Sequence, residues 1–336
     1  MKSTQQIQRT RPLGKTSFQQ IEQKYLTTLE SREIEASAKS GPSFEGQDKI
    51  LRNTRKLSLG SSRNTQTFGS FTDRGPGNFF YVSFYRRSMR VTIGTHSPVI
   101  VTSNEVTFHL PGQSCIREAL ASEGGEYEWI AIHPDLLQFI GVSNLYKHEV
   151  PAYAPLWPSH FITQRQLFTA FVNPPRAVES QYLEAALLTF VRNLISDTVT
   201  HWRQRQEGSR SLRPTCVKRR MQIAEDAKLL LAREFLTDLS FRKIADAVHC
   251  SQCHLVRAFH DATGLLPGDY RRELRLRKGL FLMEETRSDI GDIAIHVGFS
   301  SHSHFTSAFH RSFGSTPTEF VRWRAQPIFV SPDIAA

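Results

Sequence analysis

Two short segments near the C-terminus place hydrogen-bonding side chains at helical spacing. Residues three and four apart share one face of a helix. The outward residues are Gln252, Cys253, Val256, Arg257 and His260 in the first segment, and His302, Ser303, His304, Ser307 and Arg311 in the second. Arginine can donate two hydrogen bonds to guanine, and valine suits the methyl group of thymine. This chemistry indicates recognition of base edges in a DNA groove.

The two segments are copies of one unit. Four positions recur after 49 residues: Ile244, Ala245, Val248 and Ser251 become Ile293, Ala294, Val297 and Ser300. Six recur after 50 residues: His254, Ala258, Phe259, His260, Gly264 and Pro267 become His304, Ala308, Phe309, His310, Gly314 and Pro317. Tyr270 is matched by Phe320, and one residue is inserted in the turn of the second copy. Ten identities in one order indicate an internal duplication.

Each copy has the pattern of a helix-turn-helix. Short polar residues accept hydrogen bonds from the first free amides of a helix and therefore mark where helices begin. The predicted caps are Ser240 and Ser251 in the first copy and Ser288 or Asp289 in the second. The predicted inward residues are Ile244, Ala247, Val248, Leu255, Ala258 and Phe259, followed by Phe305, Ala308 and Phe309.

The connection between the copies, Pro267 to Glu285, is predicted to be one helix. About 17 helical residues span about 25 Å. Adding half of each flanking unit places the two outward helices about 34 Å apart, which is one turn of B-DNA. Both helices could then enter successive major grooves on one face of the duplex.

The chain that precedes these units has a different residue pattern. Short apolar and aromatic runs at 79–85, 90–94, 98–101, 105–110 and 127–132 predict strands of an antiparallel sandwich or barrel. After Pro151 the spacing becomes helical, and a helix is predicted at about 180–204 with a stripe of Leu183, Leu187, Val191, Leu194 and Thr198. That stripe would pack onto the barrel or form a dimer seam.

Composition and charge narrow the class of protein. The chain has 336 residues and a net charge of +10, with a net +5 in residues 1–60 and a net +5 in 211–325. Basic ends favour an anionic partner such as nucleic acid. The chain has no run of about 18 apolar residues, which a membrane span would need. Its four cysteines are too few for a disulfide framework. We therefore expect a cytoplasmic protein.

Two groups of residues suggest metal chemistry but lack a complete ligand set. Cys250 and Cys253 form a single CxxC without a second ligand pair at zinc spacing. His96, Glu105 and His109 lie in the strand region without the close His-x-His arrangement of a cupin metal site. We expect no metal or other cofactor and no enzyme activity. A metal-dependent cupin-type enzyme and a ligand-independent architectural DNA-binding protein are the alternatives.

The duplicated region resembles the DNA-binding domain of the AraC/XylS family of bacterial transcription regulators. The match is densest in Gly298-Phe299-Ser300, Ser303-His304-Phe305, Ala308-Phe309, Phe313-Gly314 and Pro317. The segments NEVTFHLPGQ and YEWIAIHPDLL more weakly resemble the sensor half of members with a cupin-like barrel. The resemblance implies a sequence-specific regulator that responds to a small-molecule effector and recruits RNA polymerase, activation being the commoner behaviour.

The resemblance also assigns roles by position. The implied base-contacting residues are Cys253, Val256, Arg257, His302, Ser303, His304 and Ser307. The implied contacts to the DNA backbone are Ser251, Gln252, Arg271, Arg272, Arg275 and Arg311, although Arg275 often supports the fold in this family.

The connecting helix departs from the family at three positions. Gly279 stands where alanine is usual, at a cost of about 1 kcal/mol in a helix interior. Leu280 and Phe281 stand where charged residues are usual. Other apolar residues of this helix already supply a core edge, so at least one of the pair is expected to face solvent. We expect the pair to contact the sensor and couple effector binding to DNA binding.

These observations predict an α+β protein with two domains. A polar extension at 1–56 precedes a β-rich, cupin-like sensor barrel with helices at 57–206. A linker at 207–216 leads to an all-α domain at 217–325, in which a linker helix joins two helix-turn-helix units, and a tail follows at 326–336. The predicted partners are double-stranded DNA, RNA polymerase, an effector of unknown identity and a second copy of the chain, without a membrane.

Overall fold

The computed structural model describes residues 47–54, 56–64, 70–73, 79–142, 150–175, 178–209 and 214–325. Ten strands lie in the N-terminal part of these ranges. They are β1 (Gln47–Asn53), β2 (Leu57–Asn64), β3 (Ser70–Asp73), β4 (Phe80–Tyr85), β5 (Met89–Ile93), β6 (Val99–Val101), β7 (Glu105–His109), β8 (Cys115–Ala119), β9 (Gly125–Ile132) and β10 (Tyr153–Pro155).

The strands form two antiparallel sheets. One sheet has the order β1-β2-β9-β4-β7-β10, and the other has the order β3-β8-β5-β6. Successive residues of a strand point to opposite faces of its sheet. Phe80, Val82 and Phe84 accordingly belong to the large helix-covered core, whereas Tyr81 and Tyr85 belong to the core that also holds residues of the smaller sheet. The β-rich N-terminal domain is confirmed, and the described strands form two separate sheets.

Within the ranges given above, ten helices follow or interrupt the strands. They are α1 (Pro134–Phe139), α2 (Pro158–Val172), α3 (Ser180–Ser209), α4 (Pro214–Glu234), α5 (Phe241–Ala247), α6 (Gln252–Thr263), α7 (Pro267–Glu285), α8 (Ile290–His296), α9 (His302–Phe313) and α10 (Pro317–Ala325). None of the described helices is long and apolar enough to cross a membrane.

The apolar stripe of α3 packs inside the molecule. Leu183, Leu187, Val191 and Leu194 are at most 2% exposed and share one core with residues of the six-stranded sheet. The dimer-seam alternative for this stripe is therefore wrong, because the stripe already has a partner within the chain.

The sequence predicted half of the strands. The predicted runs correspond to β4, β5, β6, β7 and β9, whereas β1, β2, β3, β8 and β10 were missed. The missed strand β1 lies within the segment 1–56 that was expected to be a polar extension, and it pairs with β2 from Gln47 onward. The strand β10 lies after Pro151, where the strands were expected to have ended. Residues 1–46 and 326–336 lie outside the described residues.

The helix boundaries of the C-terminal domain follow the predicted caps. Ser240 accepts a hydrogen bond from the amide of Lys243, and Ser251 accepts one from the amide of His254. In the second copy, Asp289 caps α8, and Ser301 rather than the matched Ser300 caps α9 because of the inserted residue. The connecting helix α7 has the predicted bounds.

Most of the predicted inward positions are buried. Ile244, Leu255, Phe259, Phe305 and Phe309 are 0% exposed. The prediction for Ala247 is wrong: it is exposed, because α5 turns its stripe of residues 244, 245 and 248 inward instead.

The two helix-turn-helix units have different cores. The first unit comprises α4 to α6 with the start of α7, and the second comprises the end of α7 with α8 to α10. The first unit has a core of its own, formed by residues from Ile223 to Leu274. The core of the second unit is continuous with that of the N-terminal domain and runs through Phe281 to Phe320.

Candidate nucleic-acid interface

The second helix of each unit, α6 and α9, buries one face and exposes the other. Both helices end at a glycine in the left-handed conformation, Gly264 (φ 79°) and Gly314 (φ 76°), which only glycine adopts without strain. These ends fix the length of the exposed face at three turns each. A helix of this kind, protruding with polar side chains, is the element that enters the major groove.

The positions implied to contact bases lie on these open faces. The exposed residues are Cys253, Arg257, His302, Ser303, His304 and Ser307, and Val256 is half-buried. The structure thus brings them together in two groups, one on each helix, and their contacts with bases remain predictions.

His304 is held in one orientation. Its Nδ1 lies 3.1 Å from the Ser300 hydroxyl, and its ring lies edge-on to Phe299 with centroids 5.2 Å apart. His302 lies 3.5 Å from the Thr306 hydroxyl on the same helix. The two histidines of α9 therefore differ in how firmly neighbouring groups fix their rings.

The residues implied to contact the DNA backbone are in different situations. Gln252 and Arg311 are exposed. Arg272 pairs with Asp269 at 2.9 Å, and Arg271 donates to the carbonyl oxygen of Leu239 at 2.6 Å. The hydroxyl of Ser251 is used as the cap of α6. Their phosphate contacts remain predictions.

Arg275 connects the two units from within. Its guanidinium donates to the carbonyl oxygens of Phe235 and Thr237 at 2.7 and 2.9 Å, and to that of Gly298 at 2.8 Å. Phe235 and Thr237 belong to the first unit, and Gly298 lies in the turn of the second. This supports the fold-supporting role over a role in phosphate binding.

Gly279 has a packing cause. A Cβ atom at this position would lie 2.9 Å from two ring atoms of Phe305, which is fully buried. Contacts that short force a neighbour to move, so α7 and α9 can approach this closely only at a glycine. The close approach explains why the chain tolerates the lower helix propensity of glycine here.

Neither Leu280 nor Phe281 faces solvent, so that expectation is wrong. Leu280 is 0% and Phe281 is 4% exposed. The Phe281 ring lies 5.7 Å from that of Phe161 on α2, and the Arg86 guanidinium lies 4.2 Å above it. Phe281 is covered by the N-terminal domain, so the predicted contact of this residue with the sensor is present, and its role in coupling remains a prediction.

Arginine and glutamate side chains surround Phe281 at this contact. Arg86 donates to Glu284 at 3.0 Å and to Glu285 at 2.7 Å, and Arg165 donates to Glu284 at 2.9 Å. Arg86 and Arg165 also pair with Glu128 of β9. Burial alone would raise the pKa of Glu128, but these two arginines outweigh it and lower that pKa.

A second polar contact between the domains lies at the other end of α7. The Tyr270 hydroxyl donates to Glu105 at 2.9 Å and lies 2.8 Å from the Thr102 hydroxyl. Lys228 of α4 lies 2.9 Å from Glu225 and 4.0 Å from Glu105. Burial lowers the pKa of Lys228, but the two carboxylates outweigh burial and raise it.

Arg277 lies between these two contacts on α7. It is 1% exposed and donates to the carbonyl oxygens of Ser103 and Leu156. Burial lowers its pKa to about 10. Sequence reasoning missed every residue of these interdomain contacts except Phe281, because their partners are more than 100 positions apart.

The residues considered for metal binding serve other purposes. Glu105 binds Tyr270, His109 lies 3.1 Å from the Thr107 hydroxyl, and His96 is exposed. Cys250 is half-buried beside the core of the first unit, and burial raises its pKa, while Cys253 is exposed. Within the described ranges, no three histidine, cysteine or acidic side chains are grouped to hold a metal ion.

Comparisons with known proteins agree with this reading of the C-terminal domain. A family profile described as "Helix-turn-helix domain" matches residues 244–322. The chain is 29% identical over 209 residues to the HTH-type transcriptional activator RhaS of Enterobacter sp., covering 57% of this chain and 66% of that protein. It is 33% identical over 78 residues to the HTH-type transcriptional regulator MtrA of Neisseria gonorrhoeae, covering 23% of this chain and 26% of that protein. The matches thus span less than two thirds of these relatives.

Two solved structures are also similar to parts of this chain. A transcriptional regulator with an AraC-type DNA-binding domain from Chromobacterium violaceum is 35% identical, covers 32% of this chain and 95% of its own, and gives a TM-score of 0.30. ToxT from Vibrio cholerae is 12% identical, covers 82% of this chain and 100% of its own, and gives a TM-score of 0.31.

Proposed function

We propose that this chain, an AraC/XylS family member through its double helix-turn-helix domain, is a sequence-specific transcription regulator that responds to a small-molecule effector. The observation that carries the proposal is the pair of duplicated units, each exposing the outward face of its second helix. The net charge of +5 in residues 211–325 favours the DNA backbone as partner. Activation is the proposed outcome, since RhaS, which is similar over 209 residues, is described as a transcriptional activator.

The partners that follow are double-stranded DNA and, at the promoter, RNA polymerase. We place this activity in the bacterial cytoplasm, where promoter DNA lies. A second copy of the chain is a further proposed partner, but its interface must differ from the α3 stripe, which is buried within one chain.

We place the effector between the two sheets of the N-terminal domain. The six-stranded sheet carries aromatic and polar side chains on this side, among them Tyr85, Thr107, His109 and Trp129, all nearly inaccessible to solvent. Apolar walls with a few polar groups are typical of small-molecule sites. The crevice at the domain contact, lined by Phe84, Phe161, Phe281 and their neighbours, is a weaker candidate, because it encloses no space of the size of a small molecule.

The proposed function predicts salt-dependent, sequence-specific binding. Binding selection with the full chain should return a motif of two half-sites about 10 base pairs apart. The affinity should fall by orders of magnitude between about 50 and 200 mM salt, because condensed counterions are released. Arg63→Ala serves as a control, because it removes an exposed arginine of the N-terminal domain. It should change neither the selected motif nor the dependence of the affinity on salt concentration. A selection that returns no motif, or a flat salt response, would refute the proposal.

A metal-dependent enzyme is the rival function. Stoichiometric metal bound by the purified full chain would favour the enzyme. The uses of Glu105 and His109 described above argue against it.

A further inference from the structure

The two helix-turn-helix units are attached to the N-terminal domain by different kinds of contact. The second unit shares an apolar core with that domain, centred on Phe161 of α2, whose ring lies 5.7 Å from Phe281 and 5.6 Å from Phe313. The first unit has a separate core. Besides the packing of α4 against β6, it contacts the N-terminal domain through the hydrogen bonds and ion pairs described next.

The polar attachment of the first unit has three parts. At its centre, the Tyr270 hydroxyl donates to Glu105, which also accepts from the amide and hydroxyl of Thr102 at 2.8 Å each. On α4, the carboxylate of Glu225 accepts from the amide of Ile100 at 2.7 Å. At the end of α6, Arg205 of α3 donates to the carbonyl oxygens of His260 and Asp261. We call Glu105, Thr102, Tyr270, Glu225 and Lys228 the Glu105 cluster.

Polar and apolar contacts differ in what separation costs. A hydrogen bond or ion pair between domains is exchanged on separation for bonds with water, so its net contribution is small. Separating a shared apolar core exposes hydrocarbon surface, and water gives nothing comparable in return. The first unit should therefore leave the N-terminal domain at a lower free energy than the second.

The docked arrangement does not cover the base-contacting faces. Cys253, Arg257, His302, Ser303 and Ser307 are all exposed while the two domains are in contact. Docking therefore acts on the position of a unit and not by masking its recognition helix. The property that can change is the placement of one unit relative to the other.

Strand β7 connects the Glu105 cluster to the space between the sheets. Glu105, Thr107 and His109 alternate along β7 and therefore lie on one face of it. The Thr107 hydroxyl lies 2.8 Å from that of Tyr85, and His109 lies 3.8 Å from the Cys115 sulfur. Tyr85 and Cys115 belong to the core between the sheets. A molecule bound there would contact the same face of the strand that holds Tyr270.

We propose that the first helix-turn-helix unit is the regulated one: the Glu105 cluster holds it to the N-terminal domain and releases it, while the second unit stays attached. The proposal deepens the proposed function and rests on it for the consequence at DNA. It assigns Tyr270 and Glu105 as positioning residues, which act on DNA binding without touching DNA.

Hydrogen exchange in the full chain tests this proposal without DNA or effector. Tyr270→Phe removes one hydroxyl and retains the ring that packs against Phe259 with centroids 5.2 Å apart. Amides of α4 to α6 should exchange about tenfold faster, because the variant leaves the buried Glu105 carboxylate short of one donor while docked, and water replaces that donor only after release. Amides of α8 to α10 should stay within about twofold of the wild type.

The matched control removes a similar bond within the C-terminal domain. The Ser312 hydroxyl donates to Glu273 at 2.9 and 2.8 Å, which joins α9 to α7. Ser312→Ala should accelerate exchange in the second unit and leave the first unchanged. Glu105→Gln provides an independent test from the other side of the contact and should reproduce the pattern of Tyr270→Phe.

Equal acceleration in both units, or no acceleration in the first, would overturn the proposal. Should Tyr270→Phe lose its fold, the exchange pattern of Glu105→Gln decides in the same way. The exchange experiment contains no DNA, so its result does not depend on the proposed function. A failure of the binding selection would refute the proposed function without changing the exchange result.

Discussion

The first unit ends its repeat with Tyr270, and the second ends with Phe320 at the matching position. Both rings are buried, at 1% and 3% exposure, and each packs in the core of its own unit. The difference is one hydroxyl group, which in the first unit reaches Glu105 of the N-terminal domain. Duplicated units can thus keep one core design and still diverge in how they are attached to the rest of a protein.

The largest expected effect comes from Phe281→Lys in the full chain, which would weaken the attachment of the second unit. The new ammonium group would be buried beside Arg86 and Arg165, which already pair with the glutamates at this contact. An uncompensated buried charge costs about 3–5 kcal/mol. Urea unfolding should show this loss, and the second unit should gain exchange on its own. Phe281→Leu is the control and should cost much less. Unchanged stability would mean that the shared core does not attach the second unit.

Acid should destabilise the second unit before the first, because His109 lies in the N-terminal domain, with which the second unit shares a core. Burial lowers the pKa of His109 from 6.5 to about 4. Below pH about 6.5 the unfolded chain binds a proton that the folded chain refuses, so stability falls as the pH drops from about 6.5 to 4. The loss amounts to about 3 kcal/mol. Exchange measured at several pH values should show the N-terminal domain and the second unit weakening together before the first unit. His109→Gln should flatten this dependence, and an unaltered pH profile would contradict the assignment.

Gly279→Ala tests the close approach within the second unit. Alanine gains about 1 kcal/mol of helix propensity. The clash with Phe305 should outweigh that gain and give a net loss of about 1–3 kcal/mol. Thermal unfolding of the full chain measures the change. The double variant with Phe305→Leu should recover part of the loss, and a stabilised single variant would show that the ring moves freely.

Two arginines of similar charge should separate DNA recognition from the joining of the units. Arg257→Ala should weaken specific binding by about 1–3 kcal/mol and relax the preference at one base pair. Arg275→Ala should instead lower stability, because three carbonyl oxygens lose their donor. Binding selection and thermal unfolding of both variants distinguish the two. A full-contrast motif from Arg257→Ala would remove Arg257 from the base-contacting set.

Local patterns allowed the sequence to predict the helices of the C-terminal domain. Ser240 and Ser251 marked helix starts, and the repeated apolar positions identified both cores, because caps and periodicity act between neighbours in the chain. The strands β1 and β3 carry polar or mixed residues without an alternating pattern, and in β2 only Leu57 and Leu59 alternate with a polar residue, which is too short a pattern to predict a strand.

Among the interdomain contacts, that of Phe281 was predicted, whereas the polar ones could not be predicted in the same way. Glu105 and Tyr270 are 165 positions apart, and no local rule links them. The one available signal was the Tyr270/Phe320 mismatch in the repeat. A hydroxyl that one copy carries and the other lacks, at a position that is otherwise core, indicates a polar partner outside the unit.

Half-site binding tests directly whether the first unit is the regulated one. The full chain and its Tyr270→Phe variant would be titrated against a selected site, and against versions in which one half or the other is scrambled. We predict that the variant changes only the free energy contributed by the half-site that α6 contacts, and that the contribution of the α9 half-site stays the same. Equal changes at both half-sites, or a change confined to the α9 half-site, would contradict the account.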